Sequence, residues 1–270
     1  MKYFLITLFS LLLISCISTQ IISVENAEFT AFKNSATYKS CDESGNEKFG
    51  EYSLINNQWG KSKIKSGVYR QCTYYNQGVF GWEWEAPSRS YGVIGYPEIW
   101  MGKYAWSQKS NVSQANYYKS LHELKKLEVQ YEAQLNTDDK KYNLSFDFWL
   151  HSEPIVAIET IAVEVMIWED YQNFKSHGKL METVQTSFGT YDIMMGWMKK
   201  PELGTNWNYI AFIRKDKRTS GTVDIKEILE ILMRKNYISP DLYLSSIEFG
   251  TEILNSKGNI LVKKYQVDSE

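Results

Sequence analysis

Residues 142–150, Tyr142-Asn-Leu-Ser-Phe-Asp-Phe-Trp-Leu150, decide the fold class, because two kinds of side chain alternate along them. Successive side chains of a β-strand point to opposite faces of a sheet. One face would carry Tyr142, Leu144, Phe146, Phe148 and Leu150, and the other Asn143, Ser145, Asp147 and Trp149. The stretch therefore predicts a strand with one core face and one face of polar and aromatic groups.

The same alternation recurs along the chain. Residues 161–168 place Glu164 opposite a row of Ile and Val side chains, and residues 246–253 place Glu248 and Glu252 opposite Ile and Phe. Similar runs occur near residues 51–59, 79–84, 127–135, 184–194 and 207–214. Many short strands at this spacing predict an all-β fold with two packed sheets. No linker-like tract interrupts residues 30–270, which we interpret as a single domain.

One segment has the pattern of a helix. Asp224 is suited to be its N-cap, with Glu227 three residues later as in a capping box. The apolar stripe at helical spacing consists of Ile225, Ile228, Leu229 and Leu232. We expect this helix to pack on the outside of the sandwich. Residues 119–128 also carry Leu at helical spacing, but alternation returns at 127, which favours a loop followed by a strand.

The composition argues against several kinds of partner. The 270 residues include 30 Lys and Arg against 32 Asp and Glu, so nucleic acid is not expected to be the main partner. Three His and three Cys leave little for a metal site. Aromatic residues make up 15% of the chain, which indicates an aromatic-rich, β-dominated domain.

Residues 1–20 have the pattern of a signal peptide. Lys2 precedes an apolar run at residues 4–14 that is too short to span a bilayer. The sequence Leu13-Ile14-Ser15-Cys16 resembles a bacterial lipobox and predicts a lipidated Cys16 that anchors the protein to a membrane. Ordinary cleavage a few residues later, for example after Ser18, is the alternative. Both readings predict an exported protein, either secreted or held at the cell surface.

Cys41 and Cys72 are the two cysteines that follow this segment. In an oxidising compartment, two cysteines most simply form one disulfide. Two buried free thiols are the alternative. We expect the Cys41–Cys72 disulfide.

The strand faces opposite the predicted core combine carboxylates with aromatic rings, where an ordinary exposed face carries Lys, Thr and Ser. A sugar polymer suits such a face, because pyranose rings stack on indoles while carboxylates bind hydroxyls or act as acid and base. A single Glu on a strand is more often a solvated charge. Alternation alone also does not separate Glu252 from the rival carboxylates Glu98 and Glu248.

At these residues the chain resembles glycoside hydrolase family 12, the endo-β-1,4-glucanases and xyloglucanases with a jelly-roll fold. The resemblance runs in order from about residue 41 to residue 254. Its motifs are Asn56-Asn57-Gln58-Trp59-Gly60, Trp82-Glu83-Trp84, Gly95-Tyr96-Pro97-Glu98-Ile99, Phe146-Asp147-Phe148-Trp149, Glu164-Val165-Met166-Ile167-Trp168 and Phe249-Gly250-Thr251-Glu252. The chain departs from the family at Ile253-Leu254, where many members have Pro-Phe, and at Gln58 and Glu169, which replace commoner apolar residues.

The resemblance implies a retaining endo-β-1,4-glucanase that needs no cofactor. Glu164 would be the nucleophile, Glu252 the general acid/base and Asp147 the carboxylate beside the nucleophile. The residues implied to bind substrate are Asn57, Trp59, Met166, Trp168, Trp84 and Glu98. The family also has a disulfide in the region of Cys41 and Cys72. We expect the charge of Glu164 to raise the pKa of Glu252, and Asp147 to share a proton with Glu164.

Other functions remain open from the sequence. The enzyme could be specific for xyloglucan, since loop shape decides the preferred β-1,4-linked glucan. A non-catalytic carbohydrate-binding jelly roll would also be exported and rich in aromatic residues, but it would not need Glu164 and Glu252 in these motifs. A third alternative, a structural surface lipoprotein, is supported only by the lipobox pattern. We expect a monomer whose partner is a β-1,4-linked glucan.

Overall fold

Two β-sheets packed face to face make up the fold. The structure, a computed structural model, describes residues 27–88, 92–106, 120–138, 140–200 and 203–270; the predicted signal peptide and Cys16 lie outside these ranges. The strands are β1 (Tyr38–Ser40), β2 (Asn46–Phe49), β3 (Tyr52–Ile55), β4 (Arg70–Asn76), β5 (Val79–Glu85), β6 (Glu98–Gly102), β7 (Leu127–Thr137), β8 (Tyr142–His151), β9 (Ile161–Gln172), β10 (Lys179–Thr186), β11 (Gly189–Lys200), β12 (Thr205–Arg214), β13 (Ser220–Asp224), β14 (Tyr243–Ile253) and β15 (Lys257–Ser269).

The two sheets differ in size. The smaller sheet has six strands in the order β1-β4-β5-β15-β7-β13, and the larger has nine in the order β10-β11-β12-β9-β8-β14-β6-β3-β2. Neighbouring strands are antiparallel, with the exception of β9 and β12, which run parallel. The arrangement confirms the predicted all-β, two-sheet sandwich.

The main core lies between the sheets and contains the apolar faces that the sequence predicts. Leu144, Phe146, Phe148 and Leu150 of β8 are fully buried, and they pack with Ile247 and Phe249 of the neighbouring β14. The opposite face of β8 is buried as well, so that every residue of this strand is shielded from solvent. Strand β8 therefore occupies the centre of the larger sheet with functional groups on one side and the core on the other.

Two helices accompany the sheets, where the sequence predicts one. Helix α2 (Ile225–Arg234) begins after Asp224, whose side chain accepts a hydrogen bond from the Glu227 backbone N–H at 2.9 Å. The Glu227 carboxylate does not complete a capping box, because it accepts hydrogen bonds from Ser187. The predicted apolar stripe of α2 joins the main core. Helix α1 (Ala27–Ser35), which is weakly amphipathic and was not predicted, packs Phe29 against Tyr74 and Leu261.

Three further predictions concern local structure. The run near 51–59 is a strand only as far as Ile55, so Trp59 lies in a turn. The run near 184–194 is not one strand, because a turn at Ser187 and Phe188 separates β10 from β11. Residues 120–126 form an irregular segment before β7, as predicted.

No helix in the described ranges is long and apolar enough to cross a membrane.

The Cys41–Cys72 disulfide is present and confirms the predicted pairing. It links the segment between β1 and β2 to strand β4 across a separation of 31 residues. Ser40 is paired with Thr73 in the β1–β4 ladder, so the bond continues this pairing and cross-links two neighbouring strands of the smaller sheet. Gln58, in the turn that carries Asn57 and Trp59, donates to the Cys41 carbonyl oxygen at 3.3 Å, so the bond lies beside this turn.

Candidate active site

Five acidic side chains meet on the face of the larger sheet that is turned away from the core, which we call the site face. Directly opposed residues of an antiparallel pair share one face. On β8 this face consists of Asn143, Ser145, Asp147 and Trp149. Their partners on β9 include Trp168, Met166 and Glu164, and their partners on β14 include Glu252, Gly250 and Glu248. The strand register thus places Glu164, Glu252 and Asp147 together, as predicted.

Glu164 is almost fully enclosed, with 8% of its surface exposed. The Trp207 indole N–H of β12 donates a hydrogen bond to Glu164 Oε2 at 2.6 Å. Burial raises the pKa of the Glu164 carboxyl to about 8, and the Trp207 hydrogen bond opposes this rise by stabilising the charged form. The negative charge of Glu252 also contributes to the rise, which shows that the two carboxyls interact.

Glu252 is partly exposed at the end of β14. The Asn143 amide Nδ2–H donates to Glu252 Oε2, and Asn143 Oδ1 accepts from the Glu252 backbone N–H at 3.1 Å. Burial raises the pKa of Glu252 to about 7, while Asn143 and the charge of Lys63 act in the opposite direction. The expectation that the charge of Glu164 raises the pKa of Glu252 is wrong: burial causes the rise, and the interaction between the two carboxyls raises the pKa of Glu164 instead.

Asp147 lies between these two groups on the central strand and is 6% exposed. Its Oδ1 atom is buried without a hydrogen-bond partner in the structure. Burial raises the pKa of Asp147 well above its ordinary value, and the charge of Glu164 is the next largest cause. The coupling to Glu164 agrees with the expected sharing of a proton between them.

Glu98 and Glu248 form a second carboxyl pair deeper in the sheet. Glu98 is fully buried and accepts hydrogen bonds from Asn57 Nδ2 at 2.9 Å and the Tyr104 hydroxyl at 3.0 Å. Ser246 Oγ donates to Glu248 Oε1 at 2.8 Å. Burial raises the pKa of Glu98 well above its ordinary value, and the negative charge of Glu248 raises it further. The two carboxyls therefore titrate as a pair.

Differences in solvent exposure distinguish Glu252 from Glu98 and Glu248, which the strand pattern of the sequence could not do. Glu98 has no exposed surface and already accepts hydrogen bonds from Asn57 and Tyr104, so its role in substrate binding stays a prediction. Glu248 is 2% exposed, whereas Glu252, four residues along the same strand, is partly open to solvent. Of the two Glu residues on β14, only Glu252 is placed to donate a proton to a bound molecule.

The predicted aromatic binding residues occupy different environments. Trp59 is 49% exposed in the turn after β3. Trp168 and Met166 lie on the site face but are buried, since Phe174 packs on the Trp168 ring and Tyr209 OH contacts Met166 Sδ. Trp84 lies in the core between the sheets, where its indole N–H donates to Ser256 Oγ at 2.9 Å. The prediction that Trp84 binds substrate is therefore wrong: its register on β5 turns the ring inward.

Two residues that touch the acidic pair were not identified as site residues from the sequence. Trp207 and Asn143 each donate to one of the two carboxylates. The alternation at 142–150 places Asn143 on the same face as Asp147, which is a usable signal. Nothing in the local sequence of Trp207 indicates its contact with Glu164, because that contact depends on the parallel pairing of β12 with β9.

A two-sheet β-sandwich with paired carboxylates on a face lined by aromatic rings defines a class, the enzymes that cleave glycosidic bonds. Residues 50–270 match the family model described as glycosyl hydrolase family 12. The chain belongs to this family and is a glycoside hydrolase.

Individual relatives agree with this assignment. Endoglucanase S of Pectobacterium parmentieri is 29% identical over 231 residues, which cover 83% of each chain. A probable xyloglucan-specific endo-β-1,4-glucanase A of Aspergillus fumigatus is 21% identical, covering 86% of this chain and 92% of its own. Among solved structures, a family 12 xyloglucanase from Bacillus licheniformis in complex with ligand superposes with a TM-score of 0.80 and 25% identity, covering 86% of this chain and 100% of the other.

Proposed function

We propose that the protein is an endo-β-1,4-glucanase that cleaves internal β-1,4-glucosidic bonds with retention of configuration. The observation that carries the proposal is the pair Glu164 and Glu252, which share one face of the sheet and interact electrostatically. Each carboxylate is oriented by a donor from a neighbouring strand. Acetal hydrolysis with retention needs two such carboxyl groups, one as nucleophile and one as acid and base.

In the first step, Glu164 attacks the anomeric carbon and forms an ester bond to the sugar. The bond from that carbon to the leaving glucosyl oxygen breaks, and Glu252 gives its proton to this oxygen. In the second step, Glu252 takes a proton from water, whose oxygen attacks the anomeric carbon and releases Glu164. Glu252 regains its proton, so the enzyme returns to its starting state.

Hydrogen bonding and exposure distinguish the roles of the two carboxyls, since burial raises the pKa of both. Trp207 donates to Glu164 from within the sheet and stabilises the charged form that attack requires. Glu252 is the more exposed of the two, so its proton can reach a bound sugar. Asp147, protonated beside Glu164, adds no second negative charge next to the nucleophile.

For substrate contact we propose Trp59 as the stacking residue for a glucosyl unit, since its ring is half exposed. Asn57 supports this turn and has a φ of 28°, a conformation that Asn tolerates better than most residues. Xyloglucan is the second candidate substrate, because the relatives include xyloglucanases by name. Glucan binding also fits the similar fold of the xyloglucanase domain of a type three effector from Sinorhizobium fredii, which was solved in complex with cellobiose.

The deciding experiment measures new reducing ends on cellulose derivatives, mixed-linkage β-glucan and xyloglucan, with proton NMR of the first-formed anomer. Glu164→Gln should be folded and nearly inactive, and Glu252→Ala should retain activity on substrates with good leaving groups, which need no proton in the first step. Glu85→Gln, at an exposed ion pair with Arg70, is the matched control and should act like wild type. A first-formed α-anomer would contradict retention. Binding without any cleavage would favour the carbohydrate-binding alternative.

We also propose that the enzyme is exported as a monomer and anchored through a lipidated Cys16. The support is the lipobox pattern at 13–16, and several acyl chains hold a protein to a membrane far more firmly than one. Cys16→Ser should leave the protein unprocessed or release it from the membrane fraction. Identical fractionation of the wild type and this variant would contradict the anchor.

A further inference from the structure

Two lysines border the half-exposed ring of Trp59. Lys63 Nζ lies 3.7 Å from the centroid of the Trp59 ring, and Lys200 Nζ lies 5.8 Å from it. Lys63 follows Trp59 in the same turn, whereas Lys200 is the last residue of β11, on the far side of the sheet order. Segments distant in the sequence thus bring two positive charges to one indole.

The same two lysines are in electrostatic contact with the acidic pair. The charge of Lys63 acts on Glu252, and the charge of Lys200 acts on Glu164. Trp59 and its lysines therefore adjoin the point where the glucan chain would be cut. A sugar unit stacked on Trp59 would have both ammonium groups within reach of its substituents.

No carboxylate neutralises these lysines at close range. Among the described residues, neither Lys63 nor Lys200 has an acidic partner within 4.0 Å, whereas Lys61 in the same turn pairs with Glu43 at 3.6 Å. Lys63 is fixed by donating to the Val93 carbonyl oxygen at 3.1 Å. Burial and the charge of Lys200 both lower the pKa of Lys63, and the charge of Glu252 opposes this only in part, so the two lysines repel each other. An anion bound between them would relieve this repulsion.

We propose that Trp59, Lys63 and Lys200 form a subsite for a glucan unit that carries a carboxylate substituent. The part of the ring that Lys63 leaves uncovered supplies the stacking surface, and the two ammonium groups supply the charge that distinguishes an acidic sugar from a neutral one. This inference rests on the proposed glucanase function and adds to it a preference among β-1,4-linked glucans.

The test compares kcat/KM on carboxymethyl cellulose with kcat/KM on hydroxyethyl cellulose, an uncharged derivative of the same backbone. Lys63→Gln and Lys200→Gln should each lower this ratio about three- to tenfold, a size expected for one partly screened charge pair. Loss of a lysine also changes the environment of Glu164 or Glu252, but this acts on both substrates and cancels in the ratio. The effect should shrink at about 1 M NaCl, where the screening length falls to about 3 Å.

Two further variants make the outcome specific. Lys61→Gln removes a positive charge from the same turn and should leave the ratio unchanged, while Lys63→Arg keeps the charge and should preserve the ratio. A fall no larger than in Lys61→Gln would overturn the subsite. Failure of the proposed function is visible separately, because the wild type would then cleave neither polymer. Affinity electrophoresis in gels containing each polymer still decides the inference in that case: lysine-dependent retardation by carboxymethyl cellulose alone supports it, and its absence refutes it.

Discussion

At the scale of single residues, Trp207 is the hydrogen-bond donor that favours the charged form of Glu164 against the effect of burial. Its indole N–H is the donor to Glu164 Oε2, and it is enclosed with this carboxylate away from water. A hydrogen bond to a charged group contributes about 1.5–3 kcal/mol when both partners are shielded. The protonation state of the proposed nucleophile therefore depends on a residue three strands away from Glu252 in the sheet order.

We predict that Trp207→Phe moves the acidic limb of the pH profile of kcat/KM to higher pH. Without the donor, the charged form of Glu164 is less stable, its pKa rises, and a smaller fraction is ionised at a given acidic pH. Activity on the acidic side should fall about tenfold or more, which corresponds to about 1.4 kcal/mol or more. Trp197→Phe, at an exposed Trp of the neighbouring strand β11, is the control. An unshifted acidic limb in a folded Trp207→Phe protein would show that Trp207 has only a packing role.

At the scale of elements, strand β9 is fixed at its end by a buried ionic network. Glu169 has no exposed surface and accepts hydrogen bonds from Tyr131 OH at 2.7 Å and Tyr191 OH at 2.5 Å. Arg218 Nε donates to the same carboxylate, and Arg214 Nη1 lies 3.7 Å from it. These partners come from β7, β11, β12 and the segment between β12 and β13, so one carboxylate joins both sheets.

We predict that Glu169→Gln lowers the free energy of unfolding by about 3–5 kcal/mol, because it leaves Arg218 and Arg214 without their buried counter-charge. The measurement is equilibrium unfolding in urea. Glu47→Gln, on the exposed face of the edge strand β2, should change stability by less than about 0.5 kcal/mol. A loss below about 1 kcal/mol for Glu169→Gln would mean that the network contributes little.

The strands and helices also show how much of the fold could be predicted from the sequence. Strand β8 was predictable because its side chains alternate on both faces, and the alternation at 161–168 and 246–253 put Glu164 and Glu252 on polar faces like that of Asp147. The choice of Glu252 over Glu248 came from the family resemblance and not from alternation. The β10–β11 turn was not predicted, since Thr186, Phe188 and Thr190 around it are all common in strands. Helix α1 was missed because its apolar side consists of little more than Phe29 and Phe32. The inward turn of Trp84 and the contact of Trp207 depend on which strands pair, and a single strand does not encode its partner.

At the scale of the whole molecule, the enclosed acidic cluster links stability to pH. Burial raises the pKa of Glu164 to about 8 and those of Glu248 and Glu252 to about 7, and it raises those of Glu98 and Asp147 well above their ordinary values. In the unfolded chain these groups lose their protons near pH 4. Between about pH 4 and the raised pKa values of the folded protein, the folded state holds more protons than the unfolded state. Raising the pH through this range therefore favours unfolding.

We predict that the free energy of unfolding falls as the pH rises from about 6.5 to about 8. The fall should be at least about 2 kcal/mol, since one extra proton held by the folded state contributes about 1.4 kcal/mol per pH unit. Below this window, His151 acts in the opposite direction, because burial lowers its pKa to about 4. Urea unfolding at several pH values gives the slope, and Glu248→Gln, which removes one titrating group, should flatten it. A free energy that is constant or rises across this window would contradict the prediction.

The amide of Asn143 has a consequence for how the enzyme is produced. Asn143-Leu144-Ser145 is an N-x-S acceptor sequence for N-glycosylation, and the acceptor atom Nδ2 is the one that donates to Glu252. In the folded protein Asn143 is fully buried and out of reach of a transferase. A host that attaches glycans to the nascent chain would meet this atom before β8 is enclosed. A glycan there would replace the donor of the proposed acid and could not be accommodated inside the sheet, so bacterial expression is the appropriate source of active enzyme.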